Sequence, residues 1–243
     1  MKLAIHYSYL LLRTMNILIL GKEETATIFA KKMIQSHHCN QLFILPGNNE
    51  TQQLGSNLVI ENNNENDLQN ICFEHQIDLI VNTSEDISLK GLDGGKYIII
   101  EKNSALEELF STPEFLLKFT NENEIPYQNQ KTNTLQIVIL TNSKEFQIIS
   151  MVEDNILSKI EECVIQNVLN GFKNLQSTGN YFFCLELSKE NGSYYLSEFD
   201  FSLDAVLFKT CFEHLETDLV SLFAAMDNGT YEDVNIEFYE IEN

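Results

Sequence analysis

Met15-Asn16-Ile17-Leu18-Ile19-Leu20-Gly21, followed by Ala26, Phe29, Ala30, Met33 and Ile34, is the stretch that decides the fold. A short apolar run that ends in glycine reads as a buried strand. The spacing i, i+3, i+4, i+7, i+8 after it is the stripe of a helix packed on a sheet. Leu42-Phe43-Ile44-Leu45 is the next strand, stopped by Pro46-Gly47-Asn48. Asn57 to Ile60 reads as a third strand, Ile77 to Val81 as a fourth and Tyr97 to Ile100 as a fifth. Between the third and fourth, Leu68, Ile71, Cys72 and His75 mark a short helix. Strands and helices alternating at this spacing predict a parallel, right-handed βαβ sheet.

Further on the order changes. Pro113 starts a helix through Phe115, Leu116 and Phe119, which Ile125-Pro126 ends; a polar linker follows over 127–134. Leu135–Leu140 and Phe146–Met151 form one expected hairpin, around Thr141-Asn142-Ser143. Tyr181–Leu187 and Tyr194–Phe199 form another, turning at Asn191-Gly192. A helix runs from Ile160 to Phe172, and a last one carries Phe212, Leu215, Leu219, Leu222 and Met226 before Asn228-Gly229. This half predicts antiparallel strands with helices on one face. The expected organisation is an extension over 1–14, a first domain over 15–126 and a second over 135–243. Met15 is read as the natural start, or residues 1–14 as a loose extension, with an interfacial or targeting role for 1–14 as the alternative.

The 243 residues carry 36 acidic and 15 basic side chains, a formal net charge of −21. Such a protein is repelled by nucleic-acid phosphates and anionic membranes, so neither is an expected partner. The only arginine is Arg13, so nothing after it can make the planar two-pronged grip on phosphate. Five cysteines, an odd number with no C-x-x-C pair, argue against a disulfide framework or structural zinc and for a reducing, cytoplasmic setting. His37-His38-Cys39 reads as a helix terminus. Asp93-Gly94-Gly95-Lys96 lacks the spacing of a phosphate loop and reads as a tight turn.

Four stretches, in order, resemble the phosphoribosylamine–glycine ligase family. They are the strand 16–21; Leu42 to Asn48, ending in Pro-Gly-Asn; Ile77-Asp78-Leu79-Ile80-Val81 with Glu85 and Gly91-Leu92 behind it; and Leu196-Ser197-Glu198-Phe199-Asp200 with Leu215-Glu216-Thr217-Asp218-Leu219-Val220. The resemblance implies an α/β fold: an N-terminal parallel βαβ sheet (pre-ATP-grasp, Rossmann-like), then a reduced ATP-grasp-like α+β core. It implies substrate-binding positions at Gly21, Pro46, Gly47, Asn48 and Glu85, and magnesium ligands at Glu198 and Asp200, which alternate onto one face of a strand.

The departures from the family bear on activity. The first loop, Gly21-Lys22-Glu23-Glu24, keeps one glycine and puts two carboxylates where the family holds a phosphoribosyl group. Those carboxylates also suit a helix N-terminus electrostatically. The lysine expected near Thr112-Pro113 is missing, the lid is replaced by the linker, and the arginine expected after the metal strand is Ser202. The family continues past the point where this sequence ends, at Asn243. The expectation is a truncated, catalytically degenerate relative with no catalytic residue and no cofactor, acting as an interaction or regulatory protein. The alternatives are a small-metabolite binding module, or a residual ligase using magnesium and ATP and completed by a partner. The expected partner is another protein or a second copy, because a sheet without its lid should expose apolar area.

Overall fold

A computed structural model describes residues 14–60, 65–84, 86–89, 92, 97–101, 104–129, 133–142, 146–175, 179–201, 206–228, 230 and 234–239. In chain order the elements begin with β1 (Met15–Gly21), α1 (Glu24–Met33), β2 (Cys39–Pro46), β3 (Ser56–Asn57), α2 (Glu65–Glu74), β4 (Leu79–Asn82) and β5 (Ile98–Glu101). Next come α3 (Ser104–Phe110), α4 (Pro113–Glu122), β6 (Thr134–Thr141), β7 (Phe146–Ile149), α5 (Asp154–Ile160) and α6 (Gln166–Asn174). A π-helical turn, Glu161–Ile165, joins the last two. The remaining elements are β8 (Asn180–Glu190), β9 (Ser193–Asp200), α7 (Val206–His214) and α8 (Leu219–Asp227).

Packing divides the protein into two compact units, Met1–Glu101 with Phe208–Asn243, and Lys102–Leu207. This grouping differs from the sequence boundaries at 126 and 135: residues 102–126 join the second unit, and the helices after residue 207 join the first.

In the first unit all strand pairs are parallel, in the order β3-β2-β1-β4-β5. Alternate residues serve opposite faces of such a sheet. Leu18, Leu20, Phe43, Leu45 and Ile80 meet Leu68 and Cys72 of α2 in one buried cluster. On the other face Ile17, Ile19, Ile44, Leu79 and Val81 are buried too, and α1 packs on β1 and β2. Near-continuous burial of the strands is what helices on both faces of a parallel sheet produce. Phe29 of α1 lies edge-on to Phe212 of α7, with ring centroids 5.3 Å apart, and 6.4 Å from Phe223 of α8.

Polar contacts add to the apolar seam that holds α7 and α8. Lys32 Nζ donates to the Leu215 carbonyl. Ser36 Oγ donates to the Asp218 carboxylate (2.7 and 2.9 Å to its two oxygens), and that carboxylate also accepts the Ser221 N–H at 2.9 Å as the N-cap of α8.

The last helix of the sequence reading is thus two helices. Leu215 and Leu219 are four residues apart, about one turn, so the apolar stripe runs across the break unaltered. The expected third strand is also shorter: only Ser56 and Asn57 pair with β2, and Val59 is 82% exposed. Helix α3 was not anticipated, although Leu106, Leu109 and Phe110 carry helical spacing.

The second unit is antiparallel, with β7 on β6, β6 on β8, and β8 on β9. The start of the expected linker pairs with β9: the Leu196 N–H donates to the Pro126 carbonyl, the Gln128 N–H donates to the Leu196 carbonyl, and Tyr127 bridges Leu196 in parallel. The core is built on phenylalanine. Phe172 stacks on Phe183 at 4.7 Å and on Phe110 at 5.3 Å. Gly171 lets α6 close on α4, since a Cβ there would lie 2.6 Å from the Phe119 ring. Ile137, Ile139, Phe183 and Leu185 are buried, and so are Val138, Leu140, Phe182 and Cys184 from the opposite face.

Burial raises the carboxyls of Glu101 and Asp227 above their ordinary values of 4.5 and 3.8. The folded state then holds protons more tightly than the unfolded state, so stability falls as pH rises from the ordinary carboxylate range through the raised values. Glu101→Gln and Asp227→Asn should each flatten that part of a stability–pH curve from urea unfolding and raise stability at neutral pH. An unchanged slope in both variants would refute the assignment.

Candidate functional site

The carboxyl ends of the parallel strands are where open α/β sheets bind ligands. At the end of β1, Gly21 has φ +147°, a conformation suited to glycine. A Cβ on Gly21 would meet Thr83 Oγ1 at 2.2 Å and Ala26 Cβ at 3.3 Å. Thr83 sits there because its N–H and its hydroxyl both donate to the Leu20 carbonyl, at 2.9 and 2.8 Å. Thr83 thus leaves no room for a side chain at position 21.

Pro46 pairs in register with Gly21, and the Gly47 N–H donates to the Gly21 carbonyl at 3.1 Å. Gly47 has φ +73°, and a Cβ there would meet Asn57 Oδ1 at 2.4 Å. Asn48 ties the two loops together. Its amide nitrogen donates to the Lys22 carbonyl at 2.8 Å and to Thr27 Oγ1 at 3.0 Å. Its amide oxygen accepts the N–H groups of Glu50 (2.9 Å) and Thr51 (3.0 Å). The amide is consumed in holding the turn.

Asn48 also borders a cleft of about 550 Å³, floored by Phe212 and Ile28 and flanked by α1 and α7. That volume lies in the range of small-molecule sites. Its charged lining is three lysines, Lys31, Lys32 and Lys209, and three glutamates, Glu24, Glu50 and Glu213. Lys209 Nζ lies 2.9 Å from Glu24 Oε1, and Lys31 Nζ lies 3.4 Å from Glu50 Oε2. The Lys209 hydrogen bond and charge hold the Glu24 carboxyl below its ordinary range, and Glu24 in turn raises Lys209. Lys32 bonds the Leu215 carbonyl and lies over the Tyr239 ring at 5.7 Å; burial lowers its ammonium pKa and Asp218 works against that shift. The lining carries no formal charge imbalance.

The structure brings together four of the expected positions, Gly21, Pro46, Gly47 and Asn48. Glu85 lies outside the described residues, as do Gly91, Asp93 to Lys96 and Ser202. Glu198 and Asp200 are on β9 in the second unit, where Glu198 pairs in register with Glu186 and Asp200 with Cys184. Among the described residues no three or more His, Cys, Asp or Glu side chains gather to hold a metal, so a magnesium reading rests on two carboxylates. Cys39 and Cys211 are pushed up to about 11, chiefly by burial, which fits thiols acting as small hydrophobes.

Sequence reasoning missed Lys31, Glu50, Thr83 and Lys209. Glu24 and Lys209 are 185 residues apart, and no local pattern could have joined them.

Residues 15–95 match the family model described as phosphoribosylglycinamide synthetase, N domain. That segment, about a third of the protein, is similar to the N domain of that family. The matched segment spans β1 to β4, including the first loop and the Pro-Gly-Asn turn. No curated protein matches the sequence. Among solved structures, phosphoribosylamine–glycine ligase from Thermotoga maritima aligns with a TM-score of 0.64 at 13% identity, over 91% of this chain and 76% of that one. N5-carboxyaminoimidazole ribonucleotide synthetase from the same organism aligns at 0.57 and 11%, over 94% and 78%. Kluyveromyces lactis urea carboxylase aligns at 0.60 and 7%, over 92% of this chain but 23% of its own. At such identities the likeness is one of fold: an N domain of this type followed by an ATP-grasp-like core. No helix among the described residues is long and apolar enough to cross a membrane.

Proposed function

We propose that this protein is a catalytically degenerate relative of phosphoribosylamine–glycine ligase, a cytoplasmic protein that keeps the scaffold and acts by interaction or regulation. One observation carries the reading. The lysines around the cleft are committed to partners within the protein, Lys209 to Glu24, Lys31 to Glu50 and Lys32 to Leu215. Phosphoryl transfer depends on fixed cations placed around the phosphates. No arginine follows Arg13, and a net charge of −21 opposes an anionic nucleotide. Glu23 and Glu24 stand at the start of α1, where an N domain that binds phosphate would need free N–H groups and positive field. The partner in this reading is another protein or a second copy of the same one.

A second reading is favoured by the cleft itself: a neutral lining of about 550 Å³ suits an uncharged or cationic small metabolite better than a phosphate. A residual ligase that borrows cations from a partner is the third.

Thermal-shift and calorimetric titration of the purified protein separates them. A ligand that binds only the folded state raises stability by about 2.7 kcal/mol at a hundred-fold excess over Kd. The proposal expects silence with ATP–magnesium and with ribose 5-phosphate. A response to ATP–magnesium would overturn it and direct attention to Glu198 and Asp200. A response to glycine or simple amines alone would favour the metabolite reading.

A further inference from the structure

Three Asn-Gly steps occur in the sequence, at Asn170, Asn191 and Asn228, and the fold puts them in three different settings. Asn170-Gly171 lies inside α6, and Gly171 is buried where even a Cβ would strike the Phe119 ring. Asn228 caps α8, its amide nitrogen Nδ2 donating to the Ala224 carbonyl at 2.6 Å. Asn191-Gly192 is the two-residue turn between β8 and β9, closed by the Glu190–Ser193 pair. Both turn residues have positive φ, +50° and +85°, the signature of a tight hairpin turn. Both are exposed, and no atom lies within 4 Å of a Cβ built on Gly192.

We infer that Asn191 is the site of spontaneous covalent modification in this protein, converting to aspartate and isoaspartate before either other Asn-Gly step. The backbone nitrogen of Gly192, having lost its proton to water or hydroxide, attacks Asn191 Cγ. A new bond from that nitrogen to Cγ closes a five-membered succinimide, and the Cγ–Nδ2 bond of Asn191 breaks to release ammonia. Water then opens the ring at either carbonyl. Opening at one leaves aspartate; opening at the other routes the backbone through the former asparagine Cβ and Cγ. No oxidant or reductant takes part.

Two physical features select Asn191. The attack is intramolecular, so its rate depends on how freely the two groups can reach attack geometry. Glycine lacks the Cβ that would obstruct the approach, and water has open access to the turn. In α6 the backbone is locked by the helix and by the Phe119 contact. At Asn228 the reacting amide is already held by a carbonyl.

The consequence is local. Either product adds a negative charge next to Glu190. The isoaspartate branch also lengthens a two-residue turn by one backbone carbon, so the Glu190–Ser193 and Lys189–Tyr194 pairs at the tip of β8–β9 lose their register.

The test is timed incubation of the full-length folded protein in mildly alkaline buffer, with peptide mapping by mass spectrometry and chromatographic separation of the isoaspartyl peptide. The same protein unfolded in urea serves as reference. The expected result is conversion at Asn191 while Asn170 and Asn228 retain their amides in the folded state, with all three converting in urea. Amide hydrogen exchange should quicken at the β8–β9 tip as conversion proceeds. An Asn191 amide that survives in the folded state until Asn170 or Asn228 has converted would overturn the assignment. So would an Asn191 unchanged after a time in which the urea-unfolded protein has reacted at all three steps, since the turn would then hold the groups out of reach.

Discussion

Replacing Phe29 by alanine should lower the unfolding free energy by about 3–5 kcal/mol. The ring is 0% exposed, and its neighbours come from three helices, α1 itself, α7 and α8. Deleting it removes the apolar transfer energy and leaves a cavity between groups distant in sequence, which cannot easily collapse. Urea unfolding of the full-length protein measures the effect. Phe73, 75% exposed on α2, is the control, and its alanine variant should stay within about 0.5 kcal/mol of the parent. A cycle adding Phe212→Ala should show coupling of about 0.5–3 kcal/mol, as expected of residues in contact. A loss below about 1 kcal/mol at Phe29, with no coupling to Phe212, would mean that α7 and α8 do not complete the first unit.

That prediction turns on a feature hidden from local reading. Phe212, Leu219, Leu222 and Met226 were legible as an apolar stripe, and all four are buried. The stripe says that a helix must be covered, not what covers it. Packing against Phe29 is a long-range fact. The break at Leu215–Asp218 was disguised because it spans one turn; the signal against continuity was Asp218 three residues before Ser221, an N-cap pattern. The parallel strands were easier. Ile17 to Leu20 and Leu79 to Val81 are buried on both faces, and runs of that kind admit few other readings. The third strand was read too long because Val59, apolar in the sequence, lies beyond the two-residue edge strand β3 and is exposed. The Pro-Gly-Asn turn was legible as a turn, but the use of its asparagine was not. The resemblance implies substrate binding at Asn48; in the fold its amide also bonds Lys22, Thr27, Glu50 and Thr51.

Charge was legible only in total. A net −21 describes the field far from the molecule, yet the cleft beside α1 carries as many lysines as glutamates. Local neutrality there is a property of pairing, and pairing is a property of the fold. Glu23 and Glu24 looked in the sequence like an obstacle to phosphate. In the structure Glu24 also pairs with Lys209.

The double variant Glu24→Gln, Glu50→Gln should therefore bind inorganic phosphate where the parent does not. It removes the carboxylates facing Lys209 and Lys31 and changes the formal charge of the lining from zero to +2. Both ion pairs are exposed, and such pairs contribute about 0–1 kcal/mol each, so the fold should survive. Titration calorimetry with inorganic phosphate at low ionic strength is the measurement. Binding should weaken as salt is added, since exposed charges are screened over about 10 Å at 0.1 M. Mild acid alone should not reproduce the effect, because Lys209 keeps the Glu24 carboxyl ionised below its ordinary range. Phosphate binding by the parent would contradict the reading of a cleft whose cations are spent. Silence from the double variant, with its fold intact by circular dichroism, would mean that ion pairing is not what closes the cleft to anions.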